Sequence, residues 1–544
     1  MSHNWFSNQT GIYTSKHPQI TLPSDPFLDI VSFIFSRKHT GTTALIDAAS
    51  GFSISYNELE PLVKSIATGL HYNMGVSKGD VVLILLPNSI YYPVILLGVL
   101  YLGAVVTTMN PLSSFSEVKK QTLGLHVNVG FCLSHRADEL SSVRIQPVSV
   151  PENVAYDVNE PRFAMFFKLI SGDHDVVLRQ TVIRQDDTAA IMYSSGTTGA
   201  SKGVVLTHKN LISGVEVFVR FEASQYEVRP EDNVYLAVVP MFHIYGLILF
   251  TMGILSLGTK IVVMKKYSVD ETVRCIDTYK VTHVPSVPPL VSALTKAGKG
   301  LFGRRLMSLV QVSCGAAPLS TRTIYEFMQC FPHVDFIQGY GMSESTAVGT
   351  RGFNTRDVHK YASAGLLAPN MEAKVVDWVT GSNLPPGKTG ELWLRGPAIM
   401  KEYLNNVGAT SSTIDNEGWL HTGDIVYFDQ DGYLYIVDRV KEIIKYKGFQ
   451  IAPADLEDVL TSHPAILDAA VTGARDEEAG EVPVAFVTKR PGIEVSESSV
   501  IDFVAKQVAP YKKVRRVIFT NVIPRSAAGK ILRRKLKDKL YSRL

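Results

Sequence analysis

The sequence predicts an α/β protein built from layered, mainly parallel sheets, with a small β-rich subdomain towards its C-terminal end. Apolar runs typical of buried strands, such as 81–86 and 310–313, alternate with helical patterns such as 56–70 and 269–279. Over residues 362–437 the pattern changes to short strands separated by turn residues. A chain of 544 residues exceeds what one hydrophobic core supports, so at least two domains are expected.

Two uncharged stretches, 90–109 and 244–259, invite interpretation as membrane spans. Both contain glycines in their interiors, and the first also contains Pro93. A buried helix followed by a buried parallel strand explains each stretch better, with strands expected at 103–108 and 260–264. We therefore expect no transmembrane segment.

Four cysteines, at positions 132, 275, 314 and 330, show neither a C-x-x-C pair nor the spacing of a zinc site. This pattern favours a reducing, intracellular compartment over secretion. The first ten residues lack the basic and then apolar pattern of a signal peptide, so synthesis in the cytosol is expected.

The most specific local motif is Tyr193-Ser-Ser-Gly-Thr-Thr-Gly-Ala-Ser-Lys-Gly203. Its glycines let backbone N–H groups approach phosphate oxygens, its hydroxyls donate further hydrogen bonds, and Lys202 adds a positive charge. A Walker P-loop does not fit, because Lys202 precedes its glycine and a second strand at 204–206 comes before Thr207 can cap a helix. The motif predicts a phosphate-binding loop between two strands. An ordinary hairpin turn is the alternative.

Five further motifs follow in order along the chain: Gln338-Gly-Tyr-Gly-Met-Ser-Glu344, Gly390-Glu-Leu-Trp-Leu-Arg-Gly396, Trp419-Leu-His-Thr-Gly-Asp424, Asp438-Arg439 and Pro524-Arg-Ser-Ala-Ala-Gly-Lys530. With the phosphate loop they resemble the adenylate-forming superfamily of acyl-CoA synthetases, beetle luciferases and peptide-synthetase adenylation domains. Three segments are most similar to plant 4-coumarate–CoA ligases and their peroxisomal relatives: Pro240-Met-Phe-His-Ile-Tyr245, Ser313-Cys-Gly-Ala-Ala-Pro318 and Lys445-Tyr-Lys-Gly-Phe-Gln-Ile-Ala-Pro453.

The resemblance implies an ATP-dependent acid–CoA ligase that works in two half-reactions. ATP converts the carboxylate into an acyl-adenylate with release of pyrophosphate, and the CoA thiol then displaces AMP. The resemblance also implies an N-terminal domain at 1–437 that binds ATP and the acid, a hinge at 438–441, and a small mobile α+β domain at 442–544. Magnesium is the implied metal ion.

The same resemblance assigns nucleotide-binding residues. The β- and γ-phosphates would be held by Ser194, Ser195, Gly196, Thr197, Thr198, Gly199 and Lys202. The adenine slot would be lined by Ala316, Ala317, Gln338, Gly339, Tyr340 and Gly341.

Five more residues receive single roles from the resemblance. Ser343 replaces the threonine common in the family and keeps a hydroxyl for the α-phosphate. Glu344 would bind magnesium. Asp424 would accept the ribose hydroxyls with help from Arg439. Lys530 would bridge the acid's carboxylate and the α-phosphate.

His243 lies among apolar neighbours, where a satisfied core histidine is the ordinary explanation. By resemblance it stands at the mouth of the acid pocket and helps to place the carboxylate or CoA. The implied acid pocket comprises His243, Tyr245, Gly246, Leu249, Gly315, Ala347 and Val348. The positions implied near the acyl-adenylate or CoA are Lys266, Lys441, Lys445, Lys447, Gly448 and Gln450. The implied catalytic residues are Lys530, His243, Glu344, Lys445 and Gln450.

The two ends of this small C-terminal domain cannot serve the same step. Lys530 and the segment 445–450 lie on opposite sides of the domain in the family. Both can therefore act only if the domain rotates between the half-reactions.

The chain departs from the coumarate ligases directly after Glu344. Those enzymes typically continue with Ala-Gly-Pro, whereas this chain continues with Ser345-Thr-Ala-Val348. The missing proline and the apolar Leu249 predict a larger pocket, suited to a medium-chain fatty acid or a cyclopentanone-bearing jasmonate precursor. Tyr245 instead favours a ring-hydroxylated cinnamate. Hydroxycinnamates and fatty or oxylipin acids both stay open.

The chain carries a formal charge of +3, but residues 505–544 hold thirteen basic residues and one acidic residue. This tail lacks the interleaved aromatic residues of a nucleic-acid site, and 531–536 predicts a helix. A solvated face, or attraction to the polyanions ATP and CoA, is expected instead. The final Ser542-Arg543-Leu544 resembles the Ser-Lys-Leu address and predicts recognition by the peroxisomal import receptor.

Other functions are kept as alternatives. A luciferase-like adenylating oxygenase shares the fold and a similar C-terminal address, although its pocket needs luciferin. A carrier-loading adenylation domain is less expected, because no carrier segment follows residue 544. A non-catalytic acyl- or nucleotide-binding protein is disfavoured by the full set of motifs, and pyrophosphate release from MgATP would distinguish it from a ligase.

Overall fold

Three sheets form the framework of the described residues. The computed structural model describes residues 5–152, 160–171, 181–194, 202–300, 306–317, 319–354, 358–446, 449–476, 479–526 and 529–541, with 449, 450 and 541 described by their backbone alone.

The strands, in chain order, are β1 (Ile12–Thr14), β2 (Thr43–Asp47), β3 (Ser53–Ser55), β4 (Val81–Leu85), β5 (Val105–Thr108), β6 (Val127–Cys132), β7 (Gln146–Ser149), β8 (Thr188–Ser194), β9 (Lys202–Thr207), β10 (Val234–Ala237), β11 (Lys260–Val263), β12 (His283–Ser286), β13 (Gln311–Cys314), β14 (Asp335–Tyr340), β15 (Thr350–Arg351), β16 (Gly365–Leu367), β17 (Glu372–Val376), β18 (Gly390–Arg395), β19 (Glu402–Tyr403), β20 (Leu420–Phe428), β21 (Tyr433–Arg439), β22 (Ile444–Tyr446), β23 (Phe449–Ile451), β24 (Ile466–Asp476), β25 (Gly480–Lys489) and β26 (Arg516–Phe519).

The helices are α1 (Ile30–Phe35), α2 (Tyr56–Met74), α3 (Tyr91–Tyr101), α4 (Phe115–Thr122), α5 (Ala137–Ser142), α6 (Ala164–Ile170), α7 (His208–Gly214), α8 (Phe221–Ser224), α9 (Ile244–Ile248), α10 (Val269–Tyr279), α11 (Pro288–Gly298), α12 (Thr321–Cys330), α13 (Val407–Thr413), α14 (Pro453–Ser462), α15 (Glu497–Ala505) and α16 (Arg533–Tyr541). Two π-helical segments, Val215–Arg220 and Leu249–Gly253, follow α7 and α9.

The largest sheet combines parallel and antiparallel pairing. Its order is β1-β17-β18-β20-β21-β16-β15-β14-β13-β12-β10-β11-β2-β3. Strands β10 to β14 and β2 pair in parallel, whereas the pairs from β14 through β15, β16, β21, β20, β18 and β17 to β1 are antiparallel. The predicted α/β layering and the β-rich subdomain near 362–437 are both confirmed. The change of pairing falls between β14 and β15.

The second sheet contains the phosphate-loop motif. Its order is β19-β9-β8-β5-β4-β6-β7, and β8 and β9 pair antiparallel with Ser194 opposite Lys202. The motif therefore connects two strands, as its sequence predicted. Its central residues, 195–201, lie outside the described residues.

The two uncharged stretches have the predicted order of a buried helix and then a parallel strand. In the first, α3 leads into β5, which pairs in parallel with β4 and β8. In the second, α9 and its π-helical continuation lead into β11, which pairs in parallel with β10 and β2. No helix in the described part of the chain is both long enough and apolar enough to cross a membrane.

The C-terminal part has hydrophobic clusters of its own. The main core cluster draws on residues 13–434, whereas two further clusters draw on residues 444–540 and cover the five-stranded sheet of β22 to β26. This separation supports a distinct C-terminal unit. The exact boundaries at 437 and 442 stay a prediction.

The basic tail is less uniformly solvated than its sequence predicted. Helix α16 begins at Arg533, later than the expected 531, because Ile531 pairs with Arg525 in an isolated bridge. Arg533 is largely buried and forms ion pairs with Glu442 and Glu457. The four cysteines are free thiols.

Gly365 offers a test of how tightly the antiparallel strands pack beside β15. Its φ is +96°, and a Cβ atom built there would lie 1.9 Å from the Arg351 carbonyl carbon. We expect Gly365→Ala to lower the free energy of unfolding by about 2–4 kcal/mol, from left-handed backbone strain together with overpacking. Urea unfolding followed by circular dichroism measures the change.

Gly75→Ala is the matched control. Gly75 also has a positive φ, +68°, but a Cβ atom placed there would meet no other atom within 4 Å. Only the strain, about 1–2 kcal/mol, is expected there. Equal losses at the two positions would show that crowding beside β15 is unimportant.

Candidate active site

The predicted adenine residues meet at the carboxyl ends of β13 and β14. Gly315 to Ala317 directly follow β13, and Gly339 and Tyr340 end β14. The two strands pair in parallel with Cys314 opposite Gln338, and a Cβ on Gly315 would lie 3.4 Å from the Gly339 carbonyl oxygen. This crevice lies where the sheet changes from parallel to antiparallel pairing, a usual place for ligands in α/β sheets.

The ring and the carboxylate predicted to bind adenine and ribose are hydrogen-bonded to each other. The Tyr340 hydroxyl donates to Asp424 Oδ2 at 2.6 Å, and Arg439 Nε lies 2.9 Å from Asp424 Oδ1. Asp424 on β20 and Arg439 on β21 are cross-strand partners, so the pairing register itself creates the ion pair. Burial and the Asp424 charge raise the pKa of Tyr340, which therefore remains a neutral donor.

Glu344 lies beside the first residue of the phosphate loop. Its side chain is buried, and Oε1 accepts hydrogen bonds from Ser194 Oγ at 2.9 Å and from the Tyr403 hydroxyl at 2.8 Å. Lys202 Nζ lies 4.7 Å from the centre of the Tyr403 ring. Glu344, Ser194 and Lys202, distant in sequence, are therefore gathered around one tyrosine.

The chemistry of Glu344 fits a magnesium ion. Within the described ranges it forms no direct ion pair with a lysine or arginine, and the hydrogen bonds to its carboxylate come from two hydroxyl groups. A buried anionic oxygen beside a phosphate-binding loop is a ligand that magnesium prefers, with the phosphates supplying further oxygens. No cluster of three or more candidate metal-binding side chains occurs in the described parts of the chain.

Lys530 is brought to the same cleft by the C-terminal part. Burial lowers the pKa of its ammonium group to about 8, and Arg439 acts in the same direction, while Asp424, Glu442 and Glu344 oppose the shift. A Cβ on the preceding Gly529 would lie 3.0 Å from Pro289 Cδ at the start of α11. The loop therefore rests against the N-terminal part with its lysine among the nucleotide-site charges.

His243 is held just before α9 as a neutral, incompletely bonded ring. Burial lowers its pKa to about 4, and its Nε2 atom is buried without a hydrogen-bond partner among the described residues. Tyr245, two residues on, lies with its hydroxyl 3.3 Å from Ser313 Oγ. Nε2 of the buried His208 also lacks a hydrogen-bond partner among the described residues, so this feature alone does not separate His243 from a core histidine. The role of His243 at the acid pocket stays a prediction.

A small cavity of about 30 Å³ lies next to the predicted acid pocket. Ala347 and Val348 line it, together with Phe218, Glu222 and Arg351. Gly246, Leu249 and Gly315 do not line this cavity, and their predicted contact with the acid stays a prediction. Gly246 lies against the Pro240 carbonyl oxygen, which would be 2.2 Å from a Cβ atom.

The structure refines the argument from the missing proline. Ala347 has a φ of +63°, and its N–H donates to the Met342 carbonyl oxygen at 2.9 Å. Proline requires a φ near −65° and has no N–H, so it cannot occupy this backbone. The difference from the coumarate ligases thus includes the path of the main chain as well as the volume of a side chain.

The predicted CoA-side residues are less completely described. Lys266, Lys441 and Lys445 have exposed side chains, and the Lys445 N–H donates to Glu481. Lys447, Gly448 and the Gln450 side chain lie outside the described residues, as do Ser195, Gly196, Thr197, Thr198 and Gly199.

Residues 34–404 match the AMP-binding enzyme family, and residues 455–530 match the AMP-binding enzyme C-terminal domain. The chain belongs to the AMP-binding enzyme family. The predicted fold class and the prediction of an AMP-forming ligase are confirmed.

Three comparisons show how far the likeness extends. A protein named 4-coumarate–CoA ligase-like 6, from Arabidopsis thaliana, is 58% identical over 98% of this chain and 94% of its own length. Peroxisomal OPC-8:0-CoA ligase 1 from the same plant is 43% identical over 98% of this chain and 97% of its own length. An o-succinylbenzoate coenzyme A synthetase from Bacillus subtilis, in complex with ATP and magnesium ion, has a TM-score of 0.80 and 27% identity over 93% of this chain and 99% of its own.

Sequence reasoning missed three residues around these sites. Tyr403 lies outside every motif and reaches Glu344 because β19 pairs with β9. Glu222 and Arg351 form an ion pair in the wall of the cavity. An arginine seven residues after the Glu344 motif was the only signal in the sequence, and its burial could not be inferred from that position.

The pKa of Lys530 predicts a pH dependence for adenylate formation by the free enzyme. If the protonated amine neutralises the developing phosphate charge, kcat/KM for ATP should fall as the pH rises through about 8. In Lys530→Arg the charge persists to much higher pH, so this alkaline limb should disappear even if the rate is lower. Pyrophosphate release measured across the neutral and alkaline range gives both profiles. If kcat/KM falls in the same alkaline range in Lys530→Arg, the titration of another group causes the fall.

Proposed function

We propose that the protein is an AMP-forming acid–CoA ligase acting on a hydroxycinnamate or on a fatty or oxylipin acid. The observation that carries the proposal is the convergence of Lys530, Asp424, Arg439 and Glu344 on one cleft at the end of the parallel strands. Of the relatives described above, one is named for 4-coumarate and one for OPC-8:0, which supports keeping both classes of acid.

Asp424 and Tyr340 are suited to hold the nucleoside. The carboxylate accepts from the Tyr340 hydroxyl and from Arg439, and ribose hydroxyls can share its remaining lone pairs. Tyr340 would then lie in a fixed orientation beside the adenine ring. The ion pair with Arg439 fixes the position of the buried carboxylate.

Glu344 and Lys530 are suited to the phosphates. Glu344 would hold a magnesium ion, which supplies charge neutralisation on the polyphosphate. Lys530 would bind the acid's carboxylate and the α-phosphate together, so that the carboxylate oxygen attacks phosphorus while pyrophosphate leaves. A positive charge in a water-poor cleft stabilises the developing anion far more than it would in bulk water. His243, with its free Nε2, would orient the acid at the mouth of the pocket.

The second half-reaction would need a different arrangement of the C-terminal part. CoA must reach the carbonyl carbon of the acyl-adenylate, and the loop carrying Lys530 occupies that cleft against Pro289. We propose that the C-terminal domain, 442–544, rotates about the hinge at 438–441 and presents the segment of Lys445 and Gln450 instead. Asp438 supports this assignment of the hinge, because its carboxylate accepts N–H groups from Arg439 and from Ala454 of the C-terminal part.

Lys530→Ala should separate the two half-reactions. Acyl-adenylate formation should fall by about 10²–10⁴, the range for removing one preorganised charge at a developing anion. Thioester formation from presynthesised acyl-adenylate should persist, because Lys530 would have left the cleft. Pyrophosphate release and CoA-dependent AMP release measure the two steps.

The control for this substitution is Arg534→Ala. Arg534 is an exposed cation four residues further along, and its removal should change neither rate. Equal losses in both half-reactions of Lys530→Ala would contradict the rotation. Absence of pyrophosphate release by the unmodified protein with every acid of a hydroxycinnamate and oxylipin panel would contradict the ligase itself.

We further propose a peroxisomal location, supported by the terminal Ser542-Arg543-Leu544 and by the relative named as peroxisomal. Removing these three residues should leave the ligase rate intact and keep the protein in the cytosol, because a receptor reads the tripeptide. Microscopy of an N-terminal fluorescent fusion gives the location. Arg543→Lys is the control and should still be imported. Import of the truncated chain would contradict the assignment.

A further inference from the structure

A buried ion pair is built into the wall of the cavity beside the predicted acid pocket. Arg351 Nη2 donates to Glu222 Oε1 at 2.8 Å, and Arg351 Nε lies 2.7 Å from Glu222 Oε2. Only 16% of the arginine side chain and 12% of the glutamate side chain are exposed. The centre of the Phe218 ring lies 5.1 Å from the guanidinium carbon. Both charges therefore face a pocket whose other walls are largely apolar.

Such a pair is a poor source of stability. Bringing two charges out of water costs about as much free energy as their attraction returns, and apolar replacements of similar shape are often neutral or stabilising. Burial by itself lowers the pKa of Arg351, but the Glu222 carboxylate outweighs it and holds the pKa above its ordinary value. Arg351 thus remains positively charged, and its charge lies against the Glu222 carboxylate.

The guanidinium also reaches the predicted acid pocket. It interacts with the Tyr245 hydroxyl, which lies 3.3 Å from Ser313 Oγ. Its Nη1 atom lies 3.4 Å from where a Cβ of Gly339 would be, so the guanidinium packs against the end of β14. Arg351, Tyr245 and Ser313 therefore form a row of hydrogen-bonding groups, of which Arg351 lines the cavity.

We propose, on the basis of the ligase function above, that Arg351 and Tyr245 bind a neutral oxygen, a hydroxyl or a carbonyl, at the end of the acid remote from the reacting carboxylate. A second carboxylate is disfavoured, because Glu222 already neutralises the arginine and the new charge would be buried without a partner. A purely hydrocarbon end is disfavoured, because it offers no acceptor to the guanidinium and hydroxyl donors it would cover.

The lining of the cavity agrees with this choice. Glu222 and Arg351 line it together with Ala347 and Val348 of the predicted acid pocket. An acid that extends past Ala347 would bring its remote end beside the ion pair. The selected class comprises acids with a terminal phenol or ketone, and both classes kept open above contain such members.

The experiment compares acids that differ only at the remote end. We would measure kcat/KM for pyrophosphate release with 4-coumarate against cinnamate, and with an octanoate bearing a terminal ketone against octanoate and octanedioate. In the unmodified protein, we expect kcat/KM to be about 10–100-fold higher for the acid with the remote oxygen than for its hydrocarbon partner, in whichever pair is accepted better. One hydrogen bond to a charged donor implies a ratio of this size. In Arg351→Met this kcat/KM ratio should fall by about 10-fold. Tyr245→Phe should also lower the ratio.

Glu222→Gln gives the opposite kind of result. It preserves shape but leaves Arg351 as an unneutralised cation, so octanedioate should gain at least about 10-fold relative to octanoate. A merely structural ion pair would not yield such a gain. If Arg351→Met fails to fold, Glu222→Gln and Tyr245→Phe still decide the question.

Arg37→Met is the matched control. Arg37 Nη2 lies 2.6 Å from Glu216 Oε1, and Glu216 belongs to the π-helical segment that precedes Glu222. Neither Arg37 nor Glu216 lines the cavity. Its removal should leave the preference ratios unchanged. The inference would be overturned if the protein turned over all the acids with kcat/KM ratios near one. It would also be overturned if the three pocket substitutions left those ratios unchanged. Either result would leave the ligase function intact. Loss of pyrophosphate release with all acids would instead contradict the proposed function.

Discussion

The reversal of the chain between β14 and β15 is the constraint on which the site depends. Within this short loop the backbone turns so tightly that a Cβ on Gly341 would lie 2.2 Å from the Ala347 carbonyl oxygen. Thr346 and Ala347 both adopt positive φ angles to complete the turn. The turn directs Glu344 to Ser194 of the phosphate-loop motif and Ala347 to the cavity that it lines with Val348. In the proposed function, this one loop would connect the two substrates that must react.

Charge balance is the second organising feature of the cleft. Asp424, Glu344 and Glu442 act on Lys530 together with Arg439, and these charges come from both the N-terminal and the C-terminal parts. Each buried charge is tolerated because another lies near it. Inserting a polyphosphate would change this balance, and the C-terminal part would experience that change through Lys530. In the proposed rotation of the C-terminal domain, these shared charges would connect its orientation to the bound nucleotide.

Much of the fold could be predicted because it is encoded locally. The helix expected at 269–279 has those bounds, and the helix expected from Tyr56 begins there because Ser55 and Glu58 form a capping box. Turn residues located the antiparallel subdomain. Motif residues such as Asp424 and Arg439 could be carried over because their pairing register is fixed by adjacent strands.

The unpredicted part of the site depends on long-range register and on backbone conformation. Tyr403 reaches Glu344 because it pairs with Val204, a residue far earlier in the chain, and sequence gives no measure of that register. Arg351 follows a turn whose positive φ angles occur at ordinary threonine and alanine residues. From sequence alone, a single cation after a turn is expected to be exposed.

The hydrogen bonds that Ser194 and Tyr403 donate to the same oxygen of Glu344 have a thermodynamic consequence. A free glutamate side chain loses up to about 2 kcal/mol of rotamer entropy when it is fixed in one conformation. Here that entropy is lost when the chain folds, before any ion or nucleotide arrives. The entropy lost in ordering Glu344 therefore lowers the stability of the folded protein. It does not reduce the affinity for an ion or nucleotide, because Glu344 is already ordered when they bind.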